Sequence, residues 1–193
     1  MDIKKDNEMY MTIAQIAANR SYAQRLKVGC VIVKNNSIIS FGWNGMPTGY
    51  DNCCEWEVDG KLVTRPEVQH AELNAISKLA YNGYSSHGAS IYITHSPCMH
   101  CSLLIQKCGI EAVYYHQIYR DDSGLKFLRA AGIHVEQLLG SPLAQTQRDG
   151  THTDFVRAGA VPSLLYIRGA QPRRTFSQIS AMPGLISGFL RSV

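Results

Sequence analysis

The chain has 193 residues, of which 45% are hydrophobic and 18% charged, a normal balance for a globular protein with one core. The formal net charge of +4 comes from the C-terminal part, because residues 1–140 carry 13 basic and 13 acidic side chains, whereas residues 141–193 carry six Arg and two Asp. The first 140 residues therefore lack the basic excess that DNA- and RNA-binding proteins use, and we expect no nucleic-acid partner.

The sequence also argues against a membrane protein. No stretch is apolar for long enough to span a bilayer, and the first residues, MDIKKDNEMY, lack the apolar region of a secretory signal. We therefore expect a cytoplasmic, reducing environment and no membrane partner. In that environment the spacing of the six cysteines suggests metal binding or reactivity before disulfides.

The first half of the chain predicts a helix, a β-hairpin and a loop. Residues from about Asp6 to Asn19 place an apolar face at helical spacing, formed by Met9, Ile13, Ile16 and Ala17. Val28–Val33 and Ser37–Trp43 are β-like runs joined by Asn35-Asn36, which is typical of a hairpin. The segment GWNGMPTGYDN predicts a loop, and residues 53–69 are polar and give no clear assignment.

The second half alternates helices and strands. The predicted elements are a helix at His70–Tyr81 with an apolar face of Leu73, Ile76, Leu79 and Ala80, a strand at Ser90–Thr94, a helix at Cys98–Cys108, a strand at Glu111–Tyr115, a helix at Ser123–Ala131 and a strand at Ile133–Gln137. This order favours an α/β fold with helices on both faces of a five-stranded mixed sheet that is largely parallel after the hairpin.

The pattern changes after about Leu139, where neither helical nor strand periodicity is sustained. We therefore predict a catalytic domain at residues 1–140 and an appendage of unknown role at residues 141–193. The appendage could be disordered, could bind a partner, or could be unrelated to the core activity.

Two short motifs predict a metal centre. His70-Ala71-Glu72 is H-x-E, and residues 97–101 are P-C-x-x-C, a combination typical of zinc-dependent nucleobase deaminases. Zinc takes nitrogen and thiolate ligands in a tetrahedron, and catalytic sites leave the fourth position open. His70, Cys98 and Cys101 are therefore the predicted ligands, and the two cysteines lie one turn apart at a helix N-terminus, which favours thiolates.

Glu72 is the predicted catalytic residue. It can take a proton from the attacking water and deliver protons to the ring and the departing amino group, which is general acid–base catalysis. The alternative is a structural zinc site, which would need a fourth protein ligand, with His100 and Cys108 as the candidates.

The segments HAELNAI, SPCMHC and GWNGMPTG together resemble the deoxycytidylate deaminases, which have the three-layer α/β/α cytidine deaminase-like fold. The resemblance covers roughly residues 8–138. HAE and PCxxC are shared across the superfamily, whereas GWNGMPTG and LNAI point to the deoxycytidylate branch. The resemblance implies zinc-dependent hydrolysis of dCMP to dUMP and ammonia, supplying dUMP for thymidylate synthesis.

The resemblance also implies roles for individual residues. Asn44 would contact the deoxyribose, the Ala71 backbone would bind the base beside Ser96 and Pro97, and Arg25 and Tyr119 would bind the phosphate. From the residues alone, Asn44-Gly45 could be a turn, Arg25 a solvated charge and Tyr119 the cap of a strand.

Regulation and assembly are implied in the same way. Similar proteins are homohexamers activated by dCTP with Mg²⁺ and inhibited by dTTP, and the corresponding allosteric residues here are Lys27, Gly42, Gly45 and Pro47. Some members carry a second, structural zinc in the segment that holds Cys53-Cys54. Two ordinary thiols are the default interpretation at that position.

Rival functions remain open at this level. A deaminase acting on a base in tRNA or single-stranded DNA needs a basic groove, which residues 1–140 do not provide. A nucleoside or riboflavin-pathway deaminase fits GWNGMPTG and Arg25 less well than a monophosphate enzyme does. A catalytically silent nucleotide-binding fold would not need Glu72.

Overall fold

The computed structural model describes residues 3–139. Its helices are α1 (Ile3–Ala18), α2 (Ala71–Tyr81), α3 (Met99–Lys107) and α4 (Ser123–Ala130). Its strands are β1 (Gly29–Lys34), β2 (Ser37–Trp43), β3 (Glu55–Val58), β4 (Lys61–Thr64), β5 (Ser90–His95), β6 (Ala112–Gln117) and β7 (His134–Gln137). The predicted boundary at residue 140 and the predicted appendage at residues 141–193 lie outside the described residues.

Five strands form one mixed sheet in the order β2-β1-β5-β6-β7. Strand β1 is antiparallel to β2 and β5, and β5, β6 and β7 run parallel. The β1–β2 turn is made by Asn35 and Asn36 at φ 50° and 57°, the left-handed conformation that tight hairpin turns require. The predicted five-stranded mixed sheet, parallel after its first hairpin, is therefore confirmed.

The sheet is covered on both faces, which gives three layers. On one face α1 packs against β1 and β5 through a cluster that contains Met11, Ala14, Val31 and Tyr92. On the other face the remaining helices bury the larger cluster, whose members include Ala75, Ile76, Leu79, Ile91, Ile93, Ile105, Val113 and Leu128. The predicted α/β/α arrangement follows from these two apolar faces of one sheet.

The predicted apolar faces of two helices were partly wrong. In α1 the side chains of Met9 and Ile16 are 47% and 56% exposed, and in α2 Leu73 is 39% exposed and Ala80 is also exposed. The buried side chains are Tyr10, Met11, Ala14, Ala17 and Ala18 in α1, and Ala71, Glu72, Ala75, Ile76 and Leu79 in α2.

Close contact between helix and strand explains this difference. A Cβ atom on Gly29 would lie 2.2 Å from the carbonyl oxygen of Ala14, and one on Gly42 would lie 2.4 Å from that of Ala71. Both helices therefore approach the sheet most closely through small residues, and the side chains of Met9, Ile16 and Leu73 lie outside this contact. Periodicity weights large apolar side chains and so misplaces a face that is defined by alanine.

Residues 53–69, which sequence patterns did not assign, contain the hairpin β3–β4. Asp59 and Gly60 make its turn at φ 51° and 70°. All but one of the eight strand residues are exposed, the exception being Glu55. Because the hairpin buries so little apolar surface, alternation of apolar and polar side chains did not reveal it, although the Asp-Gly pair was a usable signal.

No described helix combines the length and the apolar character needed to cross a membrane.

The contact at Gly42 predicts a steric penalty. Gly42→Ala should lower the free energy of unfolding by about 1–3 kcal/mol, because the added methyl group overlaps the backbone of α2. Gly45→Ala is the matched control, since its Cβ would meet nothing nearer than the Trp43 ring at 3.9 Å. Urea denaturation measures both variants, and equal stability would contradict the predicted close contact.

Candidate active site

Two helix N-termini bring together a group of possible metal ligands. His70 is the residue that caps α2, Cys98 caps α3, and Cys101 lies in the first turn of α3. Their ligand atoms all lie within 4.8 Å of one another. Residues 3–139 contain no other group of three or more His, Cys, Asp or Glu side chains with that spacing.

The spacing of these atoms fits a tetrahedral zinc ion. His70 Nδ1 lies 3.6 Å from Cys98 Sγ and 3.3 Å from Cys101 Sγ. A tetrahedral zinc with bonds of about 2.0 Å to nitrogen and 2.3 Å to sulfur separates such ligands by about 3.5 Å. The donor set, one imidazole and two thiols, is also one that zinc prefers.

The two thiols differ in their ionisation. Hydrogen bonds from Cys101 and His70 lower the pKa of Cys98 to about 3. The same shared hydrogen bond and burial raise the pKa of Cys101. His70 has a raised pKa, chiefly because it hydrogen-bonds to Cys98. These hydrogen bonds therefore favour the thiolate form of Cys98, which is the form that binds a metal ion.

Glu72 lies beside this group in the first turn of α2. Its side chain is only 4% exposed, and its pKa is raised mainly by burial. The Cys101 thiol opposes the effect of burial and lowers the pKa of this carboxyl. It is thus adjacent to the cluster of His70, Cys98 and Cys101 without being one of its three members.

A structural zinc site would need a fourth protein ligand, and the described residues contain none beside this cluster. His100 is exposed, and Cys108 lies at the opposite end of α3, where it caps the helix. Neither belongs to the cluster of His70, Cys98 and Cys101. Cys53 and Cys54 donate their thiols to the carbonyls of Glu55 and Asn52, and residues 3–139 contain no third ligand beside them.

Glu72 lines a cavity of about 260 Å³, which is slightly smaller than most small-molecule sites. It lies at the edge of the sheet where β2, β5 and β6 end and β1 begins. Its lining comprises Arg25, Leu26, Val28, Asn44, Glu55, Thr64, Val68, His70, Ala71, Glu72, His95, Ser96, Cys98, Tyr119 and Arg120. Of the predicted substrate-binding residues, this lining includes Arg25, Asn44, Ala71, Ser96 and Tyr119, whereas Pro97 is buried.

Several of these residues also hold the cavity walls in place. The Asn44 side chain accepts from the backbone N–H of Val28 and donates to the carbonyl of Leu26, both at 2.8 Å. Ser96 Oγ accepts from the backbone N–H of Tyr119 at 2.8 Å. One donor and one acceptor position remain on the Asn44 amide for a ligand.

Two arginines stand at the mouth of the cavity. The Arg25 guanidinium donates from Nη1 to Thr64 Oγ1 at 2.8 Å. The Arg120 guanidinium lies over the Tyr119 ring, 5.0 Å from its centroid. The cavity lining therefore combines the Glu72 carboxyl and the Cys98 thiol with two guanidinium groups.

The predicted allosteric residues are not among the residues that line this cavity. Lys27 is exposed, and Gly42 is buried beneath α2. Gly45 pairs with Gln69 in an isolated bridge, and the Pro47 carbonyl accepts from the backbone of Tyr50. Their allosteric role stays a prediction.

Sequence patterns missed four polar residues of the cavity: Glu55, Thr64, His95 and Arg120. His95 precedes Ser96-Pro97-Cys98, and Arg120 follows Tyr119, so adjacency to predicted residues was a usable signal for both. Glu55 and Thr64 are 30 and 39 residues from Arg25 in sequence, and no local pattern connects them with it.

Comparison with known proteins agrees with this geometry. Residues 4–117 match the family described as the cytidine and deoxycytidylate deaminase zinc-binding region. The chain is 35% identical to ComE operon protein 2 of Bacillus subtilis over 136 residues, covering 68% of this chain and 70% of that protein. It is 34% identical to the deoxycytidylate deaminase of Enterobacteria phage T4, covering 65% and 86% of the two chains.

A solved structure is similar as well. The dCMP deaminase of cyanophage S-TIM5, crystallised in complex with dCMP and dUMP, shares 43% identity and superposes with a TM-score of 0.66, covering 69% of this chain and 97% of that one. The match to the Schizosaccharomyces pombe deoxycytidylate deaminase, at 34% identity, spans 67% of this chain but only 43% of the yeast protein. The family match extends over more than half of the 193 residues, and the chain therefore belongs to the cytidine and deoxycytidylate deaminase family.

Proposed function

We propose that this protein catalyses the zinc-dependent hydrolytic deamination of dCMP to dUMP and ammonia, which supplies dUMP for thymidylate synthesis. The observation that carries the proposal is the cluster of His70, Cys98 and Cys101 beside the buried carboxylate of Glu72, next to a cavity of about 260 Å³. An acid–base residue beside a three-ligand metal site is the arrangement that hydrolytic deamination requires.

His70 Nδ1 and the thiolates of Cys98 and Cys101 would hold the zinc. When bound there, zinc supplies Lewis-acid activation of the attacking water. Because the cluster offers three protein atoms, a zinc ion held there would still be able to bind a ligand that is not from the protein.

Glu72 handles the protons. Its carboxylate takes one proton from the water that attacks C4 of cytosine and delivers it to N3. It then takes the proton of the new C4 hydroxyl and delivers it to the amino group, which leaves as ammonia as the C4–N bond breaks and the C4 carbonyl forms. Burial keeps bulk water from competing for these transfers, and the first turn of α2 fixes the carboxylate relative to His70.

The cavity walls provide the substrate contacts. The Ala71 N–H lies in the first turn of α2, where helical N–H groups have no intrahelical partner, so it can donate to the base that lies between Ser96 and Glu72. The remaining amide positions of Asn44 suit the deoxyribose. Arg25 and Tyr119 at the mouth suit the 5′-phosphate, since Arg offers bidentate donors.

A free nucleotide fits better than a polynucleotide. The active-site residues line a cavity of about 260 Å³, and residues 1–140 carry no net charge with which to follow a phosphate backbone. The relatives from phage T4 and yeast carry the name deoxycytidylate deaminase, and the cyanophage structure holds dCMP and dUMP.

Regulation and assembly complete the proposal: activation by dCTP with Mg²⁺, inhibition by dTTP and a homohexamer. The resemblance of Gly42–Gly49 to the regulatory loop of such enzymes supports this part. Lys27 would then contact the phosphates of the effector.

Glu72→Gln should retain zinc but lower kcat at least about 100-fold, because the amide cannot accept the proton of the water. Zinc content by metal analysis and turnover by ultraviolet absorbance give the two readouts. Glu111→Gln, the same change at an exposed position, is the control. Turnover retained in Glu72→Gln would remove this residue from its role.

Cys98→Ser should lose zinc and thermal stability together, because the hydroxyl is a poor ligand and metal binding contributes to folding. Cys53→Ser is the matched control, since Cys53 is exposed and bonds to a backbone carbonyl. Metal analysis and the melting temperature are measured for both variants. A Cys98→Ser protein with full zinc content would overturn the ligand assignment.

The substrate is tested with dCMP, CMP, deoxycytidine and a cytosine-containing oligonucleotide, with and without dCTP and Mg²⁺. We expect dCMP to have the highest kcat/KM, because it alone offers both the 5′-phosphate and the 2′-deoxy sugar as a free nucleotide. Preferred turnover of the oligonucleotide would replace the proposed substrate with a nucleic acid. Bound zinc without any turnover would favour a silent nucleotide-binding protein.

A further inference from the structure

The hairpin β3–β4 touches the cavity wall through a buried carboxylate. Glu55 is 6% exposed, and its Oε1 and Oε2 both lie 3.2 Å from the backbone nitrogen of Gln24. Oε1 also accepts from the backbone N–H of Arg25 at 3.3 Å. A buried carboxylate is costly unless it is hydrogen-bonded, so these contacts tie the hairpin to the segment that precedes β1.

The second strand of the hairpin contacts the Arg25 side chain. Thr64 Oγ1 accepts from Arg25 Nη1 at 2.8 Å, and both residues line the cavity. Glu55 and Thr64 are opposite each other in the β3–β4 ladder. One cross-strand pair therefore holds the backbone of Arg25 at one point and its guanidinium at another.

The hairpin itself is anchored at its base. The backbone N–H of Arg65 donates to the Cys54 carbonyl at 2.9 Å, and its guanidinium bonds to Asp51 at 3.0 Å. Cys54, which precedes β3, is buried, and Gln69, which follows β4, pairs with Gly45 in the loop after β2. The Glu55–Thr64 pair is thus fixed with respect to both the loop after β2 and the start of β1.

We propose that Glu55 and Thr64 are positioning residues that hold the Arg25 guanidinium at the mouth of the cavity and so set the preference for a 5′-monophosphate over a nucleoside. The proposal rests on the proposed function, in which Arg25 binds the phosphate. An arginine on a surface segment samples many rotamers, and fixing it beforehand lowers the entropic cost of binding the phosphate.

The hydroxyl of Thr64 is tested by an isosteric change. Thr64→Val should lower kcat/KM for dCMP about tenfold, mainly through KM, because a hydrogen bond to a charged group is lost. The value for deoxycytidine, which has no phosphate, should stay within about twofold, so the ratio of the two values falls. Thr64→Ser keeps the hydroxyl and should retain the wild-type ratio of the two kcat/KM values.

The carboxylate of Glu55 is tested by a change of charge with little change of shape. Glu55→Gln should also lower the dCMP-to-deoxycytidine ratio, because the neutral amide is a weaker acceptor for the two backbone N–H groups. Glu57→Gln, on the same strand but exposed, is the matched control and should leave the ratio unchanged. If a variant instead lowers kcat/KM for dCMP and for deoxycytidine by the same factor, it has loosened the fold in general, and the proposal is overturned.

Arg25→Ala shows whether the hairpin acts through this side chain. In an Arg25→Ala background, Thr64→Val should have no further effect on the ratio, as expected for two residues on one path. A full additional effect would mean that Thr64 acts independently of Arg25, which overturns the proposal.

The same series separates this inference from the proposed function. Each variant is also tested for the rise in melting temperature caused by dUMP compared with deoxyuridine. A wild-type protein that neither deaminates dCMP nor responds to dUMP refutes both the function and the inference. A wild-type protein that does either, with an unchanged preference in Thr64→Val and Glu55→Gln, refutes the inference alone.

Discussion

The close contact between the first turn of α2 and the sheet fixes the positions of His70 and Glu72. Gly42 leaves no room for a Cβ beneath Ala71, and the Cys30 thiol donates to the Ala71 carbonyl at 3.1 Å. One turn later, Ser40 Oγ donates to the Ala75 carbonyl at 2.8 Å. Protein interiors are densely packed and resist small displacements. His70 and Glu72 flank Ala71, so their backbone positions are fixed by the same contacts.

The second half of the site depends on a similar contact at α3. A Cβ on Gly124 would lie 2.3 Å from the Pro97 carbonyl oxygen, so the start of α4 is pressed against the turn that carries Cys98. The parallel strands β5 and β6 end beside each other, where the Ser96 N–H donates to the Gln117 carbonyl at 2.7 Å. The H-x-E and P-C-x-x-C segments are therefore brought to one point by two rigid helix ends rather than by mobile loops.

Charge is distributed along the cavity to suit a ligand with one reactive end and one anionic end. The lining contains the buried acid Glu72 with His70 and Cys98, and Cys101 lies beside them in the ligand cluster. The rim contains the guanidinium groups of Arg25 and Arg120. Glu55 also lines the cavity, but its carboxylate accepts hydrogen bonds from the backbone N–H groups of Gln24 and Arg25. These hydrogen bonds partly offset its negative charge, which reduces its repulsion of a bound anion.

The sequence by itself determined the candidate ligands, the candidate acid–base residue and the order along the chain of the elements that form the main sheet, because these depend on short spacings and on local periodicity. His70, Glu72, Cys98 and Cys101 lie in two segments of a few residues each, and each segment begins a helix. Sequence periodicity found only part of the buried faces of α1 and α2, since alanine and glycine make the closest contacts there and apolar patterns weight larger side chains. Only the tertiary structure placed Glu55 and Thr64 beside Arg25, because hydrogen bonds between residues 30 and 39 positions apart leave no local pattern in a sequence.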